Sequence, residues 1–136
     1  TTTGELSSLV HACVPTHEPG KHPATRTFQA LRLFINQELT ELDAVLPQAL
    51  DMLEPGGRLV IISFHSLEDR RVKRFFQEAA KCDPFPPDLP IRAKEISPVI
   101  LRPSRPQRPS EGEISDNPRA RSAILRWAQK SPSRQI

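Results

Sequence analysis

Apolar positions along the chain follow two rhythms in turn. From Phe28 to Leu53 they step by three or four, at Phe28, Leu31, Ile35, Leu39, Leu42, Leu46, Leu50 and Leu53, the spacing of one face of an amphipathic helix. Pro47 lacks an N–H and its ring crowds the preceding turn. The stripe is therefore expected to split into helices over about Ala24–Ala44 and Pro47–Leu53. Pro55-Gly56-Gly57 stops the pattern with a tight turn. Arg58 to Phe64 is a nearly continuous apolar run rich in β-branched residues, the pattern of a strand covered on both faces, as in a parallel sheet. Leu67, Val72, Phe75, Phe76 and Ala79 restore the helical spacing as far as about Lys81. At the junction, Ser66 and Asp69 have capping-box spacing, with the shorter Asp in place of Glu. Turn, strand, polar junction and helix in this order predict an α/β fold. Ser63 to Ser66 are expected at the carboxyl end of a parallel strand, where such sheets place ligands.

The flanks are less regular. Gly4–Val14 is weakly helical, with Thr3 as its cap and Leu6, Leu9, Val10 and Cys13 on one side, and Pro15 ends it. Thr16–Pro23 reads as a loop. Most of the 15 prolines fall between Asp83 and Pro109, an extended loop. Within it, Val99-Ile100-Leu101 is expected as an edge strand over about Pro98–Arg102, because prolines flank it. Ser110-Glu111-Gly112-Glu113 is a capping box over a short helix, broken by Asn117-Pro118. Ala123–Ala128 reads as a last strand, and Ser131–Ile136 as a frayed tail. A central strand with so few candidate neighbours, in a chain that opens on Thr1-Thr2-Thr3, is expected to be the C-terminal part of a longer protein.

Composition changes this picture in two ways. Net charge is +3 and the pI about 9.2, but Arg92, Arg102, Arg105, Arg108, Arg119, Arg121 and Arg126 concentrate positive charge in the last third. That suits a polyanionic partner, although a solvated basic face is the commoner meaning of such a run. Cys13 and Cys82 make no disulfide framework, so reduced thiols and a cytoplasmic location are expected. No apolar run approaches the roughly 20 residues of a membrane-spanning helix, and no membrane partner is expected.

Two stretches carry a closer signal. Lys21-His22-Pro23-Ala24-Thr25-Arg26-Thr27-Phe28-Gln29-Ala30-Leu31-Arg32 and Gly56-Gly57-Arg58-Leu59-Val60-Ile61-Ile62-Ser63-Phe64-His65-Ser66-Leu67-Glu68-Asp69-Arg70 resemble signatures of the bacterial small-subunit ribosomal RNA cytosine-N4 methyltransferases, the RsmH or MraW family. Asn117-Pro118-Arg119-Ala120-Arg121-Ser122-Ala123 resembles that family's C-terminal end. The resemblance implies the C-terminal part of a Rossmann-like domain that is incomplete here. Residues 1–20 would close a helical RNA-recognition insertion, and residues 21–136 would belong to the methyltransferase domain. Arg58–Phe64 and the strands at Val99 and Ala123 would be the fifth, sixth and seventh of a mostly parallel sheet whose last strand is antiparallel. It also implies methyl transfer from S-adenosylmethionine to the exocyclic amine of a cytidine in the decoding region of 16S ribosomal RNA, on the small ribosomal subunit. The Gly-rich cofactor loop and the acidic ribose ligand of the family lie upstream of anything matched here. No cofactor-binding residue is therefore expected in this chain, and the fragment alone is expected to be inactive.

Amino methylation needs the amine and the methyl held close and aligned, but no covalent nucleophile. Cys13 and Cys82 are not expected to attack the base. The candidate RNA-facing residues are His22, Thr25, Arg26, Ser63, His65, Ser66, Arg70, Arg119 and Arg121. Each also has a plainer reading. His65 and Ser66 contact a flipped cytidine or its phosphate, or they satisfy loop groups and cap the helix. Glu68 and Asp69 suit the positive end of the helix dipole. Thr25 is a candidate cap, and Arg26 stands against the dipole in a first turn, which points to a phosphate or to a local ion pair. Arg70, Arg71, Lys73 and Arg74, like Arg119 and Arg121, suit phosphate contact or simple solvation. Trp127 is expected to pack rather than stack on a base. His11, Cys13, His17 and His22 match no zinc spacing, and no metal is expected. A non-catalytic RNA-binding module, or a scaffold fragment that forms a homodimer over an open strand edge, is the alternative.

Overall fold

The computed structural model describes residues 2–14, 22–81 and 98–132. The loop expected at Thr16–Pro23, the end at Pro15, much of the proline-rich stretch with Cys82, and the tail beyond 132 lie outside the described residues. The chain divides into two units, residues 1–40 and 41–136.

In the first unit, α1 runs over Thr3–Cys13. Its cap is Thr2 rather than the expected Thr3. The Thr2 hydroxyl accepts from the Glu5 N–H at 3.3 Å, and the Glu5 carboxylate accepts from the Thr2 N–H at 3.1 Å. Glutamate stands three residues after Thr2, which decides the frame of the capping box. The helix buries none of its residues, and Leu9 is exposed. α2 spans Thr25–Ile35, and α3, Glu38–Met52, begins here but lies mostly in the second unit. The long stripe therefore breaks at Asn36-Gln37 and not at Pro47. Gln37 takes φ 50°, a left-handed backbone that no helix continues through, and Glu38 gathers Arg32 and Asn36 across the break. Pro47 stays inside α3. It costs about 3 kcal/mol there, whereas burying its neighbours Leu46 and Leu50 returns about 1.5–3 kcal/mol each.

The second unit is built on two strands. Gly56 turns the chain at φ 83°. Gly57 leaves no room for a side chain, since a Cβ there would sit 2.9 Å from the Glu54 carbonyl oxygen. β1, Arg58–Ser63, pairs antiparallel with β2, Ile124–Gln129, from Arg58 opposite Gln129 to Ser63 opposite Ile124. α4, Ser66–Ala79, follows β1. Leu46 and Leu50 from α3, Val72 and Phe76 from α4, Ile100 and Ala128 make the core, with Leu59 and Ile61 packed against it. Val60, Ile62 and Phe64 are each more than half exposed. The strand expected to be covered on both faces is covered on one, because both core-forming helices contribute to the Leu59–Ile61 side.

The expected strand at Pro98–Arg102 does not form. Residues 99–107 instead run along the free edge of β2 with single bridges at Ile100–Lys130 and Gln107–Leu125. Leu101, Ser104 and Gln107 donate to the carbonyls of Gln129, Trp127 and Leu125 at 2.8–2.9 Å. Pro103 and Pro106 have no N–H to offer, so a regular ladder is impossible. The Lys130 ammonium caps the end of α3, donating to the carbonyls of Asp51 and Leu53 at 3.0 and 2.8 Å. α5, Glu111–Asp116, has its predicted cap, with the Ser110 hydroxyl accepting from the Glu113 N–H. A 3-10 turn over Pro118–Ser122 leads into β2.

Phe76 is 1% exposed at the centre of this core. Phe76→Ala is expected to lower unfolding stability by about 3–5 kcal/mol, read from the urea midpoint.

Candidate functional site

The antiparallel register brings several expected site residues to one end of the sheet. β1 ends at Ser63 opposite Ile124, where β2 begins. The junction Phe64–Ser66 and the turn carrying Arg119 and Arg121 therefore flank the same sheet end. Ser63 itself is buried on the helix-covered face. Ser66 is exposed, as are Arg70, Arg119 and Arg121. Asn117 shapes the turn, its side-chain oxygen accepting from the Arg119 N–H at 3.2 Å.

The helix cap is one residue earlier than expected. His65 has extended backbone, φ −141° and ψ 159°, and its Nδ1 accepts from the Glu68 N–H at 3.4 Å. The Glu68 carboxylate turns back to accept from the Phe64 N–H at 3.0 Å. Ser66 is the first helical residue and does not cap. Imidazole Nδ1 reaches the third helical N–H as a side-chain oxygen does. With Nδ1 accepting, the neutral ring carries its proton on Nε2. That nitrogen lies 3.2 Å from Glu68 Oε1 without the alignment of a hydrogen bond, and it has no hydrogen-bond partner among the described residues.

The one-residue shift also reassigns Asp69. Rather than serving as a cap partner, it receives a two-pronged contact from Arg126 on β2, Nε to Oδ1 at 2.6 Å and a terminal guanidinium nitrogen to Oδ2 at 2.9 Å. Both side chains are mostly buried, 13% and 16% exposed. The Arg126 hydrogen bond outweighs desolvation and holds the Asp69 carboxyl below the usual carboxylate range, with smaller contributions from the Arg126, Arg108 and Lys73 charges. The pair spans 57 residues of sequence, and no local pattern announces it. It pins the first turn of α4, and so the junction, to the sheet.

Elsewhere on α4 the basic cluster resolves into separate positions. Arg71 pairs with Asp43 and Arg74 with Glu78. Arg70 and Lys73 have no ion pair among the described residues. Trp127 lies partly buried on the outer sheet face, with the Arg58 guanidinium 5.2 Å from its ring centre, in keeping with a packing role.

In the first unit, His22, Thr25 and Arg26 gather at the start of α2. His22 Nδ1 accepts from the Ala24 N–H at 3.2 Å, and its carbonyl accepts from the Thr25 N–H at 2.9 Å. Ala24 is the cap position and offers no side-chain bond, so Thr25 does not cap but opens the helix. Arg26 is exposed in its first turn. Cys13 is exposed, and the His11 and His22 ring centres lie 6.2 Å apart. His17 lies outside the described residues.

The described residues do not fit a nucleotide-type cofactor by themselves. Such a cradle needs a glycine loop between a strand's end and a helix. Here Gly56 and Gly57 precede β1, and the β1–α4 junction is occupied by the His65 and Glu68 side chains.

A strand opening onto a capped polar junction, beside a basic turn at the same sheet end, defines an α/β protein with a polar, basic rim at that end. The chain belongs to the MraW methylase family, whose family model matches residues 1–131. It is similar to the ribosomal RNA small subunit methyltransferase H of Dechloromonas aromatica, 55% identical over 130 residues, covering 95% of this chain and 42% of that protein. The proteins of the same name from Methylobacillus flagellatus and Halorhodospira halophila are 54% and 52% identical, over 96% and 95% of this chain and 41% and 40% of theirs. The chain thus spans about two fifths of the length of these curated relatives.

Asp69→Asn keeps the size and removes the charge. It is expected to cost about 2 kcal/mol, a partly exposed version of breaking a buried pair. A carboxyl with a lowered folded pKa contributes stability that is full above its unfolded value and lost as pH falls through the folded one. The wild type should therefore lose this contribution progressively below about pH 4. The Asn variant should show a correspondingly shallower acid dependence in pH-resolved urea titrations.

Proposed function

We propose that the protein containing this chain methylates the exocyclic N4 amine of a cytidine in the decoding region of 16S ribosomal RNA, on the small ribosomal subunit in the cytoplasm, using S-adenosylmethionine. The observation that carries the reading is the family match over residues 1–131 together with relatives named as small-subunit ribosomal RNA methyltransferases. Within that protein, residues 1–20 close an RNA-recognition insertion and residues 21–136 belong to the methyltransferase domain. The cofactor is held by the part of the protein outside these 136 residues.

This chain supplies part of the substrate wall. Ser66 offers its hydroxyl, and Arg70, Arg119 and Arg121 their charges, to the RNA around an extruded base; His65, whose Nε2 is buried in this chain, supports them by capping the helix that carries Ser66 and Arg70. Ser63 lies beneath them. In the other unit His22, Thr25 and Arg26 make RNA contacts of their own. Their work is to orient the base and its flanking phosphates, since alignment is most of what amine methylation requires. The bare face of β1 at Val60, Ile62 and Phe64 is covered by the remainder of the same protein rather than by a second copy. Relatives more than twice as long as this chain support that reading, since an apolar run of this kind suits a strand covered on both faces.

The test uses the whole protein, methyl-labelled S-adenosylmethionine and small subunits from cells lacking the activity. Label recovered in N4-methylcytidine after digestion is the expected result; label in another nucleoside, or none, overturns the reading. Residues 1–136 alone should transfer no methyl group. Ser66→Ala in the whole protein should lower kcat/KM for the RNA about tenfold or more, the worth of one hydrogen bond to a charged group, with cofactor affinity unchanged.

A further inference from the structure

The basic last third also carries a short repeat, whose last arginine, Arg108, is near enough to Asp69 for its charge to act there. Residues 101–109 repeat a triplet, Leu101-Arg102-Pro103, Ser104-Arg105-Pro106, Gln107-Arg108-Pro109. The first member of each triplet donates its N–H to β2, at Gln129, Trp127 and Leu125. The Ser104 hydroxyl also accepts from the Trp127 N–H at 2.9 Å. The third member is a proline with a fixed φ. The second is an arginine, and Arg102, Arg105 and Arg108 are all exposed and without an ion pair among the described residues. Each three-residue step of this segment advances two residues along β2, so the arginines recur at intervals of about 6.5–7 Å.

The strip also has a direction. Leu101 is fastened at the Gln129 end of β2 and Gln107 at the Leu125 end, the end where Ser63 and the Arg119–Arg121 turn meet. The comb therefore runs along the sheet edge toward the candidate site. The backbone bonds and prolines hold this edge in place, so a partner meets cations whose main chain is already ordered. The N–H groups of the first residues face β2, while the three arginines stand exposed beside them.

We propose that Arg102, Arg105 and Arg108 form a track for the phosphodiester backbone of RNA, guiding a strand toward the junction without reading its bases. The proposal rests on the ribosomal RNA reading above and adds a contact surface to it. Arginine is suited to phosphate, and each phosphate neutralised releases condensed counterions.

The experiment measures affinity of the whole protein for a fluorescein-labelled single-stranded RNA of mixed sequence as a function of salt. Replacing all three arginines by Gln (R102Q/R105Q/R108Q) should flatten the slope of log affinity against log salt by about 2, at about 0.7 per phosphate lost. The matching Lys triple should keep the slope, and both variants should keep the wild-type thermal midpoint. An unchanged slope in the Gln triple overturns the track and leaves the methyltransferase reading intact. Flattening by the Lys triple as large as that by the Gln triple overturns it too, since charge is then not what the strip supplies. Absence of RNA binding by the unsubstituted protein overturns the RNA reading, and the track with it.

Discussion

The placement of β2 is the constraint on which the second unit depends. One edge of this strand is zipped to β1 in a six-residue register. The other is stitched to residues 99–107 by bonds at every third residue. Lys130, immediately after it, reaches back to the end of α3, and Ala128 closes the core. A strand from near the end of the sequence thus gathers the turn at Gly56, the ends of both long helices and the proline-rich edge into one body. Its hydrogen bonds are made on both sides, so a slip of one residue would turn Ala128 outward and bring Trp127 into the core.

The junction at the end of β1 inherits its position from that arrangement. Asp69 and Arg126 join the first turn of α4 to β2 with a planar, two-point contact. Such a contact fixes direction as well as distance. The local cap, made by His65 and Glu68, then sets the tautomer and orientation of the imidazole. The site is held from two sides, one contact local and the other long-range, and the Arg119–Arg121 turn arrives at the same end only because the pairing is antiparallel. The apolar face left open at Val60, Ile62 and Phe64 is consistent with a chain that spans about two fifths of its relatives.

The departures from the sequence expectation share a cause. Pro47 was expected to split a helix and does not, because the leucines on either side of it are buried and outweigh one lost bond. Val99-Ile100-Leu101 has the composition of a strand, yet Pro103 and Pro106 deny it a ladder. The Ser66–Asp69 spacing is a sound capping signal, and so is a histidine one residue earlier. What decides between them is that Asp69 is needed by Arg126. Thr25 likewise opens α2 without capping it. In each case a local preference of about 1 kcal/mol competes with contacts that appear only when the chain is folded.

Hydrophobic spacing and turn residues alone determined that a strand begins at Arg58, that a helix follows the polar junction, that Ser110 caps a short helix and that a strand lies near Ile124. These are decided by neighbours within a few positions, where backbone sterics and side-chain periodicity act. The tertiary structure decided which face of β1 is covered, which residue caps α4, that Asp69 meets Arg126, and that the arginine-proline triplets line a sheet edge. Those outcomes depend on partners tens of residues away, and no local pattern specifies the direction in which two such strands will pair.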